Sequence, residues 1–344
     1  MSKRKRQKKS IGGLFTHLDR RSRSADVTTP LDKLSEVIDF ESFRSTLEEV
    51  IERKDSGKGG RPPFDAVFMF KILVLQFYYG LSDEKTEFEI LDRTSFQRFL
   101  SIEAEGEIPD RTTIWKFKEQ LGDSGAEKLF NCFHTQLTAA GVIGKKGRIV
   151  DASFADAPRQ RNTREENQRI KDGEGAPEEW PEPKKRQKDV DARWTKKNNE
   201  THFGFKNHVS VDEKSKLIDS HSTTPANVHD SQVFTELIDQ EVDRVHADSA
   251  YKSEEHDKWL ASQGIINRVH EKGTRAKPLN GNQQASNRAK SRIRVRVEHV
   301  FGFIGGVMRG DRIRTIGIIR ARRSNTLINL TYNLARATQL GAAI

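Results

Sequence analysis

Apolar positions recur at two different spacings, and the change from one to the other falls near residue 144. From Leu31 to Ile51, the residues Leu31, Leu34, Val37 and Ile38 repeat at helical intervals. The Gly-, Lys- and Pro-rich stretch Gly57–Pro63 interrupts that pattern. Phe64–Tyr79 then reads as a strongly apolar helix, opened by Pro62-Pro63 and stopped by Gly80. Ser82 or Asp83 can cap a helix running to Leu91, and Thr94 or Ser95 a short one to Leu100. Pro109-Asp110-Arg111-Thr112 opens a further helix with Ile114, Phe117 and Leu121 on one face, and another covers about Ser124–Ala140. Residues 29–143 therefore predict an all-helical domain with short connections, a bundle or a helix-turn-helix variant. Before it, residues 1–28 are polar and basic and predict a disordered tail.

Past Gly144, runs of strand length take over. Arg148–Asp156 predicts a strand, as do Thr201–Val211 and Lys216–Thr224 on either side of the turn-like Asp212–Ser215. A helix over about Asp230–Gln240, a strand at Asp243–Asp248, a helix near Ser253–Ser262 and a strand at Ile265–His270 follow. Arg288–Met308 predicts a long helix with Val297, Val300, Phe301, Ile304, Val307 and Met308 in one stripe, and Ser324–Leu340 a last one. Between the first two strands, residues 158–200 carry 12 basic and 10 acidic residues with few aliphatics, which predicts a loop or disordered insertion. The order of elements predicts an α/β domain with a mixed sheet over residues 144–344.

Composition narrows the functional classes. No run of 18 apolar residues occurs in the 344, and Phe64–Tyr79 is interrupted by Asp65, Lys71 and Gln76, so no membrane span is expected. The basic start has no apolar stretch after it, and Cys132 stands alone, which speaks against a disulfide framework or a Cys-rich zinc site. A reducing, intracellular setting is the expectation. Charge is unevenly spread. Residues 271–336 hold 15 basic and 3 acidic residues, a surplus of +12, whereas the other 278 residues sum to −2. A smaller basic cluster, Lys3 to Arg6 with Lys8 and Lys9, opens the chain. Such concentration points to a polyanion, and to nucleic acid first.

Three acids stand where chemistry would place them. Asp151 lies within the apolar strand Ile149-Val150-Asp151, Asp248 ends Val245-His246-Ala247, and Glu298 borders the apolar stripe of the basic helix. A buried lone carboxylate costs several kcal/mol, so acids on core strands need cations. Hard divalent ions prefer carboxylate oxygens, and a pair of them roughly 3.5–4 Å apart can clamp the two oxygens of a phosphoryl displacement. The alternative for each acid is a local ion pair with Arg or Lys. Asp156 competes with Asp151, but alternation puts it on the opposite face. His202, His208, His229 and His246 lack the spacing of a zinc site. Trp180 and Trp194 in the charged insertion have two readings, base stacking or anchoring of the loop. The helix opened by Asp110 likewise either enters a major groove or packs Trp115 and Phe117 into the bundle.

The segments Ile149–Phe154, His202–Asp212, Thr223–Asp230, His246–Tyr251 and Arg294–Phe301 occur in the order found in DDE transposases. With Gly60–Phe64 through Phe99-Leu100 and Ile108–Thr113, the chain resembles bacterial insertion-sequence transposases of family five, within the wider family-four group. The resemblance covers roughly residues 58–340. It implies a ribonuclease-H-like catalytic domain in which Asp151, Asp248 and Glu298 are the catalytic, metal-holding acids and two Mg²⁺ or Mn²⁺ ions are the cofactor. It implies double-stranded DNA as partner, both element ends and target, and a homodimer or larger synaptic complex. The family's Tyr, Arg, Glu, Lys signature is matched at Arg294 and Glu298, while Ser291 and Gly305 hold the Tyr and Lys positions. Arg309, one turn on, is the candidate to replace that Lys, and Arg292, Arg294, Arg296 and Arg309 are the expected DNA contacts. Two alternatives share the fold: a catalytically inactive DNA-binding protein, and a structure-selective nuclease.

Overall fold

The computed structural model describes residues 27–51, 62–102, 106–173, 175–197, 199–239 and 241–342. The basic cluster Lys3–Lys9, the tail over residues 1–26 and most of the break at Gly57–Pro63 lie outside the described residues.

The N-terminal half is helical. Helix α1 (Pro30–Val37) starts at a capping box between Thr29 and Asp32, and Arg98 binds both oxygens of Asp32 at 2.7 Å. Asp39 accepts the Glu41 amide and turns the chain into the 3₁₀ segment Phe40–Phe43, so the helical run predicted to Ile51 is divided, with α2 at Arg44–Val50. The apolar α3 (Ala66–Tyr78) is buried along most of its length, and α4 (Asp83–Asp92) and α5 (Thr94–Phe99) follow. The two helices predicted before and after Gly122 are both present as the two arms of α6 (Arg111–Ala139), separated at Gly122, whose φ of +62° and ψ of −173° lie outside the helical region. Among the described residues no single helix is long and apolar enough to cross a membrane.

The second half is built on one mixed sheet. Strand β1 (Arg148–Asp156) pairs antiparallel with β3 (Glu200–Asp212), whose other edge carries both β2 (Arg193–Lys197) and β4 (Ile218–Pro225). On its other side β1 pairs parallel with β5 (Arg244–Ala247), and β5 with the two-residue β6 (Ile266–Asn267). β1 is thus where the sheet changes from antiparallel to parallel. Within the segment predicted as a loop, the structure shows α7 (Arg164–Lys171), α8 (Glu182–Gln187) and the edge strand β2. They are held because Trp180 Nε1 and Lys184 Nζ both donate to Glu166 at 2.6 Å. The expected helix after β4 is instead two 3₁₀ turns, Asp230–Val233 and Thr235–Leu237. Helix α9 (Glu254–Ser262) precedes β6. The expected single helix over Arg288–Met308 is α10 (Gly281–Arg294) and α11 (Arg296–Gly302), broken at Val295, with a π-turn over Phe303–Val307.

The last helix, α12 (Ile318–Leu340), begins earlier than its periodicity predicts and binds the halves together. It packs on α1, α3 and α6 on one side and on β3 and β4 on the other. Three asparagines four residues apart face the sheet: Asn325 donates to Thr223 Oγ1 at 2.9 Å, Asn329 exchanges two amide bonds with Asn207, and Asn333 bonds both backbone groups of Ile218. Its first amides are capped from the insertion, Gly317 N by Asp189 at 3.0 Å and Ile318 N by Asp191 at 2.9 Å. One apolar core accordingly runs from Leu31, Phe70 and Leu121 through Ile149 and Val211 to Val300 and Leu334. A smaller core, around Val150, Phe234 and Leu260, lies on the opposite face of the sheet.

His208 on β3 is fully buried, with Nε2 2.8 Å from Thr224 Oγ1, and burial lowers its pKa to about 4. A depressed histidine favours the unfolded chain once the unfolded imidazole protonates. Its contribution is therefore complete above pH 6.5 and is lost as pH falls towards 4. We expect urea unfolding to show a stability loss on the order of 2–3 kcal/mol across that window from this residue. His208→Gln should flatten the profile, and an unaltered profile would show that His208 is not among the groups that set it.

Candidate active site

In the parallel pair, Val150 stands opposite Ala247, so Asp151 and Asp248 come one step later, side by side on adjacent strands. Neighbouring strands lie about 4.8 Å apart, which brings the two carboxylates together although the loop between them is long. Asp248 leaves β5 and caps the 3₁₀ turn Ser249–Tyr251, accepting Ala250 N at 2.7 Å. Asp151 is 8% exposed. Its Oδ1 accepts Ala152 N at 2.9 Å, and its Oδ2 accepts Arg294 Nη1 at 2.8 Å. Burial raises its pKa to about 6, with the negative charge of Asp248 acting in the same sense against the pull of Ala152 N–H and Arg294.

Arg294 ends α10, and its Nη2 reaches Glu298 Oε1 at 3.4 Å. Val297 and Val300 of α11 point into the core, which turns the half-exposed Glu298 outward beside the guanidinium. One arginine therefore spans two of the three acids, and the third acts on the same carboxylate through its field. Sequence reading left out Tyr251, three residues after Asp248. Its hydroxyl is buried without a hydrogen-bond partner among the described residues, and burial, with the charges of Asp151, Asp230 and Asp248, holds its pKa well above the usual phenol value. Its place in the His246–Tyr251 segment was the available signal.

The donor set suits a hard divalent cation in kind, being carboxylate throughout. In arrangement the guanidinium of Arg294 stands between Asp151 and Glu298, and among the described residues no three His, Cys, Asp or Glu groups are gathered as a metal cage. Asp156 points to the other face, half-exposed, 3.2 Å from His202 Nδ1. His246 faces inward, 3.3 Å from Glu213, and burial lowers its pKa to about 4.

The four arginines expected at DNA occupy different settings. Arg292 is exposed on α10, and Arg296 donates to the Glu213 carbonyl. Arg294 is engaged by the acids. Arg309 is exposed at a left-handed φ of +52°. Trp180 is buried and anchors the insertion, whereas Trp194 is 42% exposed on edge strand β2 against Phe203. Phe117 packs inward and Trp115 is 45% exposed.

Residues 143–334 match the family described as Transposase DDE domain. Residues 18–120 match the family described as Transposase domain (DUF772). Among solved structures, the cryo-EM structure of the piggyBac transposase synaptic complex with hairpin DNA is similar to this chain. The similarity has a TM-score of 0.45 at 12% sequence identity and covers 92% of this chain and 76% of that one.

Removing Arg294 would leave the Asp151 carboxylate buried without its partner. Breaking such a pair from one side costs about 3–5 kcal/mol when both members are fully buried, and somewhat less here because Arg294 is partly exposed. We expect Arg294→Ala to destabilise the protein by about 2–3 kcal/mol at pH 8. In an Asp151→Asn background the same change should cost under about 1 kcal/mol. Equal costs in the two backgrounds, read by denaturant unfolding, would show that the pair is not coupled.

Proposed function

The chain belongs to the DDE transposases, its Transposase DDE domain covering more than half of its length, and on that premise we propose that it binds terminal inverted repeats, hydrolyses the phosphodiester at the element ends and joins the freed 3′-hydroxyl to target DNA. The finer placement within insertion-sequence family five, a ribonuclease-H-like identity for the mixed sheet, action as a homodimer or larger synaptic assembly and a place in the cytoplasm at the nucleoid belong to the same proposal. The observation that carries it is Asp151 standing beside Asp248 on parallel strands where the sheet changes direction, with Arg294 bridging Asp151 to Glu298.

Each residue has a task in this reading. Asp151, Asp248 and Glu298 would hold divalent metal, Mg²⁺ or Mn²⁺. When bound, the metal supplies charge neutralisation at a phosphoryl group and activation of water. Ala152 N–H and Ala250 N–H fix the Asp151 and Asp248 carboxylates, so these two acids are oriented before substrate arrives. Arg294, already at the acids, is placed to pass from carboxylate to the phosphate of incoming DNA. Glu298 faces solvent, on the side from which a duplex can approach. Exposed arginines such as Arg292 bind the backbone without reading sequence. Attack by water and then by a 3′-hydroxyl needs no protein nucleophile.

The acids separate chemistry from binding. Cleavage of element-end DNA should vanish in EDTA and return with Mg²⁺. Asp151→Asn, Asp248→Asn and Glu298→Gln should each abolish cleavage, and combining them should add little, because groups acting as a unit are non-additive. Duplex binding without metal should persist in all three, and Asp156→Asn should retain activity. Normal cleavage by Glu298→Gln would remove that residue from the site. A gel assay of cleavage and binding on the same proteins decides these points.

A further inference from the structure

An open cleft of about 400 Å³ lies between the helical half and the segment joining α11 to α12, away from the three acids. Lys118 of α6 lines it, together with Arg309, Arg312, Arg314, Arg320 and Arg323. Four of these cations are engaged. Lys118 pairs with Asp83, Arg320 and Arg323 each reach Glu119 at 2.7 Å, and Arg314 donates to the Gly80 carbonyl at 2.9 Å. Arg309 and Arg312 are exposed, with no ion pair among the described residues. Two carboxylates therefore face six cations. The Oγ1 of Thr315, in the same wall, is buried without a hydrogen-bond partner among the described residues. Arg309 is held at φ +52°, against Gly80, where even a methyl group would come within 2.9 Å of the arginine's Cβ. A non-glycine residue kept in that conformation marks a place that its surroundings over-determine.

The cleft is joined rigidly to the acid site. Asp156 N donates to the Asp311 carbonyl and Ile313 N to the Asp156 carbonyl, both at 2.8 Å, so the segment carrying Arg312 is bridged in parallel to the last residue of β1. Five residues of strand separate Asp156 from Asp151, roughly 17 Å at about 3.3 Å per residue.

We propose that this cleft seats the DNA phosphate backbone away from the cleavage point, with the paired cations fixing the walls and Arg309 and Arg312 making the contacts. The proposal rests on the transposase reading and adds to it a second, sequence-independent grip built from both halves of the chain. The surplus of positive charge suits phosphate oxygens, which carry no sequence information.

The test uses the full-length protein and a 30-bp duplex of arbitrary sequence. Each phosphate contact adds about 0.9 to the slope of log affinity against log salt. Arg309→Ala with Arg312→Ala should reduce that slope by about 2 and weaken binding about tenfold or more at low salt, with an unchanged melting temperature. Lysine at both positions should restore most of the slope. Wild-type binding with an unchanged slope in the double variant would overturn the cleft assignment and leave the transposase reading standing. Failure of the wild-type protein to bind any duplex would overturn the DNA-binding reading itself. An unchanged duplex slope together with lost binding of a nucleoside triphosphate would assign the cleft to a free phosphate ligand and overturn the DNA seat.

Discussion

A carboxylate buried on the central strand of a sheet has to be answered by a cation, and Asp151 is such a group. In this chain the answer comes from Arg294, brought from a helix more than a hundred residues away. That single requirement fixes where α10 ends. It also explains why the long basic helix is broken at Val295. An unbroken helix would have to satisfy Asp151 with Arg294 and bury Val297 and Val300 along one straight axis, whereas the break lets the two demands be met by α10 and α11 separately. Glu298 then lies beside the same guanidinium through its four-residue spacing from Arg294.

The second organising element is α12. A helix enclosed on both sides has two kinds of neighbour to satisfy. Apolar residues meet α3 and α6, and the asparagines at 325, 329 and 333 meet backbone and side-chain groups of β3 and β4. Buried amides are costly when unpaired and directional when paired, so the ladder fixes the register of α12 against the sheet in a way that apolar packing alone does not. The helical half and the sheet share a core for this reason. The turn at residue 144 is a change of secondary structure within a continuous interior.

Much of this was legible in the chain. Strand β1 has the limits its pattern predicts, and of the three acids singled out by position Asp151 and Glu298 share Arg294, with Asp248 one step past the parallel neighbour strand. What escaped reading depended on partners distant in sequence. The insertion over residues 158–200 has the composition of a disordered segment. It is ordered by Glu166 receiving Trp180 and Lys184, and by Asp189 and Asp191 capping a helix some 130 residues later. Local periodicity carries no trace of such long-range caps. The start of α12 escapes local reading for the same reason, since its first amides follow directly on Gly317 and are held by those caps. Tyr251 went unassigned because a lone tyrosine after an acid has no periodic signature.

That α12 follows every helix and strand it packs on has a consequence for how the protein is made. Every surface it covers, from α1 and α6 to β3 and β4, and every group it bonds, from Glu119 to Asn207, leaves the ribosome before it. Domains generally fold from the N-terminal side during synthesis, at roughly 5–20 residues per second. Until residue 340 emerges, both halves present apolar faces and unpaired amides that no earlier segment can cover. A message broken or frameshifted upstream of Ile318 therefore yields a sticky, incomplete product with the acids and most of the arginines in its sequence but without the helix that assembles them. Such a product is a ready substrate for chaperones and proteases, and the fold thereby ties competence to the synthesis of α12.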